Sequence, residues 1–177
     1  RLQNLEPNFP ILSEESLIDW NERKEWQKYW LIDPLDGTKE FIKKNGEFTV
    51  NIALIKNNTP IFGIIYAPAK SLLYYALKNN GAYKLITESN IETTKDFIKI
   101  NSVKDKSNLT KVISSRSHSN KDFDNWINDN CNNFELIQIG SSLKFCYLAE
   151  SKANIYPRLG PTSEWDIAAG HIILEEA

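Results

Sequence analysis

The sequence predicts a layered α/β protein, and three features predict it. Residues 48–86 hold short, β-branched apolar runs broken by tight turn signals, the pattern of an antiparallel meander. Beyond about residue 120 the apolar period lengthens, and helical and strand-like runs alternate. The composition, 41% hydrophobic and 25% charged over 177 residues, is that of an ordinary globular domain.

Along the chain, Ile11-Leu12 follows Pro7-Asn8-Phe9-Pro10 and reads as a strand end. Asp19 to Tyr29, polar but carrying Trp20 and Trp26, reads as a loop or short helix. Trp30-Leu31-Ile32 reads as a buried strand that stops at Asp33-Pro34, and Lys39 to Lys43 as a short helical stretch. Strands are expected at Phe48 to Ile55, Ile61 to Tyr66, Leu72 to Leu77, Ala82 to Lys84, Phe97 to Ile100 and Lys111 to Ser115. Asn57-Asn58 and Asn79-Asn80-Gly81 supply hairpin turns. Asp122 to Asn130 reads as helix, Phe134 to Ile139 as strand, Ser142 to Glu150 as helix and Asn154 to Tyr156 as a short strand. A last helix, Trp165 to Glu175, opens behind Ser163, and His171 within it is expected to pack inward. Lys43 and Lys44 are expected to be solvated. The expected organisation is one domain over residues 1–177, with halves meeting near residue 105.

The formal net charge of −2 argues against a nucleic acid polymer as partner and leaves room for a small anionic substrate. Cys131 and Cys146 make no metal or disulfide pattern and read as reduced thiols. No apolar run approaches the roughly 18 residues of a membrane span, and no signal-peptide pattern opens the chain. The sequence contains no Met and stops inside a helical pattern at Glu175-Glu176-Ala177, so it reads as part of a longer chain.

Acidic residues carry the functional signal, in three places: Glu14-Glu15, Asp33-Pro34-Leu35-Asp36-Gly37-Thr38, and Trp165-Asp166. Pro34 restricts Asp33 to an extended conformation and holds its carboxylate at a strand tip. Asp36 is expected past a tight bend, and Gly37 can take the positive φ that lets a ligand approach the backbone. A helix starting at Thr38 offers free N–H groups suited to phosphate. Two carboxylates beside a phosphate site repel each other and the substrate; a divalent cation resolves both conflicts, and Mg²⁺ is the natural choice. Each piece alone has a plainer alternative. The hexapeptide can be a turn, the Glu pair can be solvated, and Asp166 can be a helix-start acid with Ser163 as cap.

Together, in this order, the three clusters resemble the inositol-monophosphatase superfamily. The segments Lys39-Glu40-Phe41-Ile42, 45–55, Tyr66-Ala67-Pro68, Ser115-Arg116-Ser117-His118, 140–146 and Tyr156-Pro157-Arg158 resemble its CysQ-type 3'(2'),5'-bisphosphate nucleotidases. The resemblance runs from about Pro10 to Gly170. It implies a layered α/β/α/β/α sandwich of the sugar-phosphatase type, incomplete at both ends. It implies two or more Mg²⁺ ions, one held by Glu14, Asp33 and the carbonyl of Leu35, another by Asp33, Asp36 and Asp166. Glu15 would stand behind them. Gly37 and Thr38 would present N–H groups to the scissile phosphate, and Thr38 would orient the attacking water. Glu14, Leu35, Asp36 and Asp166 would thereby also face the substrate. Ser141, Lys144 and Arg158 match positions that contact the nucleotide, and His118 one near base and ribose.

The activity so implied is hydrolysis of the 3'-phosphate of adenosine 3',5'-bisphosphate to AMP, with the 5'-phosphosulfate as a further substrate, by metal-activated water. An inositol or sugar-bisphosphate phosphatase shares the metal clusters, and a non-catalytic phosphonucleotide-binding protein is the rival from another class. The resemblance also implies a cytoplasmic location, with peripheral attachment to the inner membrane left open. Oligomeric state is not legible.

Overall fold

A computed structural model describes residues 7–86, 97–103, 107–116 and 121–177. Its largest feature is a seven-stranded sheet whose strands lie side by side in chain order. These are β1 (Ile11–Ser13), β2 (Lys28–Asp36), β3 (Thr49–Lys56), β4 (Thr59–Ala67), β5 (Leu72–Leu77), β6 (Gly81–Ile86) and β7 (Ile98–Ile100). From β2 to β7 every neighbour is antiparallel, as the meander pattern predicts. Asn57 and Asn58 both have positive φ (49° and 60°), as a two-residue hairpin turn requires.

β1 is parallel to β2, and parallel neighbours need a crossover, here residues 14–27 with the short helix α1 (Trp20–Arg23). The expected strand over Trp30–Ile32 is longer at both ends than its apolar run. It continues through Asp33-Pro34 to Asp36, so Asp36 lies on the strand and not beyond a bend. The helix α2 (Thr38–Ile42) follows directly.

The second sheet has two parallel strands, β8 (Thr110–Ser115) and β9 (Phe134–Ile139), joined by α3 (Lys121–Asn130). Successive residues of β8 face opposite ways: Val112 packs with Ile127 and Cys131 of the α3 side, Ile113 with Leu143 of α4 (Leu143–Ala149). The run expected as a strand at Asn154–Tyr156 makes only one bridge, Ile155 to Val112. Its neighbours Ala153 and Tyr156 are used to pack against Leu143 and Ile139 instead.

The last helix, α5 (Glu164–Glu176), lies across the large sheet and against α4. Ala53, Gly63, Ala76 and Ala82 align in register across β3–β6 and make a row of small residues beneath it. A Cβ on Gly63 would fall 2.5 Å from Ile172 Cγ2 and 2.8 Å from the Ala169 carbonyl, so the approach depends on glycine. The described layers are therefore sheet, helices, sheet and helix. His171 does not pack inward: its side chain is 60% exposed and faces Glu175 at 3.9 Å, because the buried stripe runs through Ala168, Ala169, Ile172 and Ile173. Both cysteines are free and buried, and Lys43 and Lys44 are exposed.

Candidate active site

Strand pairing assembles the acidic centre. β1 and β2 run parallel with Ser13 opposite Ile32, so Glu14 and Asp33 emerge side by side at the same end. Between Asp33 and Asp36 the ladder to β3 carries a bulge: Asp33 pairs with Asn51 and Asp36 with Thr49, three steps against two. Regular alternation would send residues three apart to opposite faces; the extra residue returns them to one face. Pro34, which has no N–H to give the ladder, sits in that bulge and is exposed. The Asp33 carboxylate turns back to accept the Leu35 N–H at 2.9 Å.

Asp166 arrives from α5. Its Oδ2 accepts from the Ser163 N–H (2.9 Å) and the Thr162 hydroxyl (2.8 Å), the helix-start arrangement expected of it. The same side chain also reaches the two strand acids: oxygens of Asp33, Asp36 and Asp166 lie within 4.8 Å of one another. Capping and clustering are thus combined in one residue. An Arg23–Glu164 ion pair (2.8 Å) ties α1, in the loop that follows Glu14, to the start of α5.

Such a cluster is electrostatically strained. Burial, then the neighbouring Asp36 carboxylate, pushes Asp33 up to about 8, the Leu35 N–H opposing and Glu14 adding to the rise. Burial also raises Asp36, against the pull of Lys144. Three convergent carboxylates with an exposed fourth beside them are the oxygen-rich donor set that suits a hard divalent cation. The residues present therefore fit the expected Mg²⁺.

Asp36 is held by a buried polar knot that the sequence reading did not identify. Its Oδ2 accepts from the Ser142 N–H (2.5 Å), Asn51 Nδ2 (3.4 Å) and Thr49 Oγ1 (3.4 Å). The Ser142 hydroxyl lies 2.8 Å from Thr49 Oγ1 and donates to Asn51 Oδ1 at 2.6 Å. Polar Thr49 and Asn51, with one face of β3 otherwise apolar, were the available signal.

Beside the acids opens a cleft of about 290 Å³, lined among others by Asp36, Gly37, Thr38, Ser141, Lys144 and Arg158. Gly37 has φ 86° and caps α2, and a Cβ there would crowd the Glu47 carbonyl and Ser141 Cβ, each at 3.1 Å. Ser141 also sits in the left-handed region, φ 50°, at the turn from β9 into α4. Lys144 is 8% exposed, and burial lowers its pKa although Asp36 raises it. Its Nζ lies 5.5 Å above the Tyr156 ring. Arg158 is exposed and bonds the Pro161 carbonyl at 2.7 Å.

Of the expected site residues, Asp33, Asp36 and Asp166 converge, Glu14 adjoins them, and Leu35 orients Asp33 through its N–H. Gly37, Thr38, Ser141, Lys144 and Arg158 share the adjacent cleft, and Glu15 is exposed next to Glu14. His118 lies outside the described residues.

The sequence pattern of the inositol monophosphatase family matches residues 1–177. The chain is 47% identical over 172 residues to the 3'(2'),5'-bisphosphate nucleotidase CysQ of Salmonella typhimurium, covering 97% of this chain and 65% of that protein. Its Escherichia coli K12 counterpart is 46% identical over 176 residues, covering 99% and 67%. The crystal structure of CysQ from Bacteroides thetaiotaomicron, a bacterial member of the inositol monophosphatase family, superposes with a TM-score of 0.87 at 44% identity, over 97% of this chain and 67% of that one. The chain thus spans about two thirds of the length of these relatives, 65% for the Salmonella protein. With Asp33, Asp36 and Asp166 converging, Glu14 beside Asp33, and this match over its whole length, the chain belongs to the inositol monophosphatase family.

Proposed function

We propose that the chain forms the cation- and phosphate-binding part of a Mg²⁺-dependent 3'(2'),5'-bisphosphate nucleotidase, which hydrolyses the 3'-phosphate of adenosine 3',5'-bisphosphate to AMP. One observation carries the reading: three carboxylates lie within 4.8 Å of one another, and two of them, Asp36 and Asp166, line a cleft together with Lys144 and Arg158. Acids in that number repel a phosphate unless a cation intervenes, and the two basic residues fit a second anionic group. The relatives' shared name supports the nucleotide as substrate.

Asp33, Asp36 and Asp166, with Glu14 and the Leu35 carbonyl, would hold two or more Mg²⁺ ions. Bound there, the ions neutralise phosphoryl charge and acidify coordinated water. The chain's own residues supply the positioning that phosphoryl transfer depends on. Oδ2 of Asp36 and of Asp166 is engaged by the protein, which fixes each carboxylate and leaves its other oxygen for a cation. The N–H groups of Gly37 and Thr38 at the start of α2 bind the scissile phosphate, and the Thr38 hydroxyl orients the attacking water. Arg158 and Lys144 hold the second phosphate, Arg158 through its planar fork, and Ser141, at the turn from β9 into α4, contacts the nucleotide beside them. Water adds to phosphorus as the ribose 3'-oxygen leaves and takes a proton, giving AMP and inorganic phosphate.

Phosphate release from adenosine 3',5'-bisphosphate, inositol 1-phosphate and fructose 1,6-bisphosphate, each with Mg²⁺ and with EDTA, tests the proposal on the full-length protein. Mg²⁺-dependent release selective for the nucleotide is expected. Selective release from either other substrate would move the function to an inositol or sugar phosphatase, and no release in any arm would leave a phosphonucleotide-binding protein.

A further inference from the structure

Glu47 is wedged between the two sides of the cleft, and no part of the proposed chemistry uses it. Its carboxylate accepts a two-pronged bond from Arg116, Nε to Oε2 at 2.9 Å and Nη2 to Oε1 at 3.0 Å, and the Gly140 N–H at 2.8 Å. Arg116 Nη2 also donates to the Gln138 carbonyl at 2.8 Å. The pair therefore gathers the ends of both parallel strands: Glu47 joins Arg116, just past β8, to Gly140, just past β9, and Arg116 itself bonds Gln138 of β9. The Glu47 backbone meets the other side. A Cβ on Gly140 would come 2.9 Å from the Glu47 carbonyl, and one on Gly37 3.1 Å from the same atom. Glu47 is 12% exposed at its side chain against 38% for Arg116, so the pair is partly shielded from solvent.

From this geometry we infer that Glu47 and Arg116 are positioning residues for substrate affinity: they hold the β9–α4 turn, with Ser141 and Lys144, at a set distance from the phosphate-binding start of α2. Asp33 is supported by the β2–β3 ladder and Asp166 by the α5 cap, while Asp36, which accepts the Ser142 N–H of the turn, keeps Thr49 and Asn51 of β3 as donors when the turn loosens. Releasing the clamp therefore loosens the anion-binding wall of the cleft more than the acidic centre. The inference rests on the function proposed above for the kinetic readout, though not for the structural one.

The test uses the full-length protein with E47Q and R116K, the second keeping charge but losing the planar fork. Losing a charge-assisted bond that orders a turn is expected to raise KM for adenosine 3',5'-bisphosphate about tenfold, with kcat kept within about threefold. Amide hydrogen exchange at residues 140–144 is expected to quicken in both variants, with the thermal midpoint nearly unchanged. Unchanged KM in both variants overturns the inference, as does loss of kcat and KM together with a collapsed midpoint. If the parent protein does not turn over the nucleotide, the substrate reading fails separately. Exchange then decides the clamp, and unchanged exchange at 140–144 overturns it.

Discussion

Asp36 shows how a single side chain is made to serve both the fold and the site. Three protein donors meet its Oδ2, and the Ser142 hydroxyl braces two of them from behind. Asp36→Asn keeps shape but removes charge and places an amide among those donors. It is expected to lower Mg²⁺-dependent phosphate release by roughly three orders of magnitude, measured at saturating substrate. Asp166→Asn is expected to do the same, since it too loses a carboxylate of the cluster. Ser142→Ala removes a buried hydroxyl bonded at 2.8 and 2.6 Å and leaves Asn51 and Thr49 short of a partner. It is expected to cost about 1–3 kcal/mol in a denaturant titration.

Among the elements, α5 and the row of small residues beneath it decide where Asp166 stands. The helix can lie close to β3–β6 only because Ala53, Gly63, Ala76 and Ala82 leave room. Gly63→Ala would drive a methyl into Ile172 and the Ala169 carbonyl, and the helix must lift or shift. A loss of about 1–3 kcal/mol is expected from such overpacking, read as a lower urea midpoint, with a weaker Mg²⁺ response because Asp166 moves with its helix. The element pattern itself was legible from apolar periodicity and turn residues. The bulge was not: an apolar run ending at Asp33-Pro34 looks like a strand end, and only the ladder to β3 shows that the chain continues to Asp36. His171 misled for a related reason, since apolar residues surround the whole turn and only docking against the sheet selects the buried side.

For the whole molecule, the acidic centre sets a link between pH, cation and stability. Asp33 has its native pKa raised from 3.8 to about 8. A group raised in this way stabilises the fold fully below its ordinary value, and that contribution is lost as pH rises through about 8. Metal-free protein is therefore expected to melt lower at pH 9 than at pH 6. Mg²⁺ favours the ionised carboxylate, so it is expected to raise the melting temperature more at pH 9 than at pH 6. Equal Mg²⁺ shifts at the two pH values would show that Asp33 does not belong to the binding set.

The amino-acid sequence by itself determined the order of strands and helices, the antiparallel meander and the three acidic clusters. These depend on residues near one another in the chain: alternation of side chains, Asn turns, a cap behind a helix. It also carried most of the cleft lining, through segments that resemble a family. What the tertiary structure alone decided is which of those residues share a face and what holds them there. The bond from Ser142 N–H to Asp36 joins positions 106 residues apart, and the one from Gly140 to Glu47 joins positions 93 apart. Such pairings follow from how two sheets pack around α4 and α5, and side-chain chemistry read one segment at a time does not contain that packing.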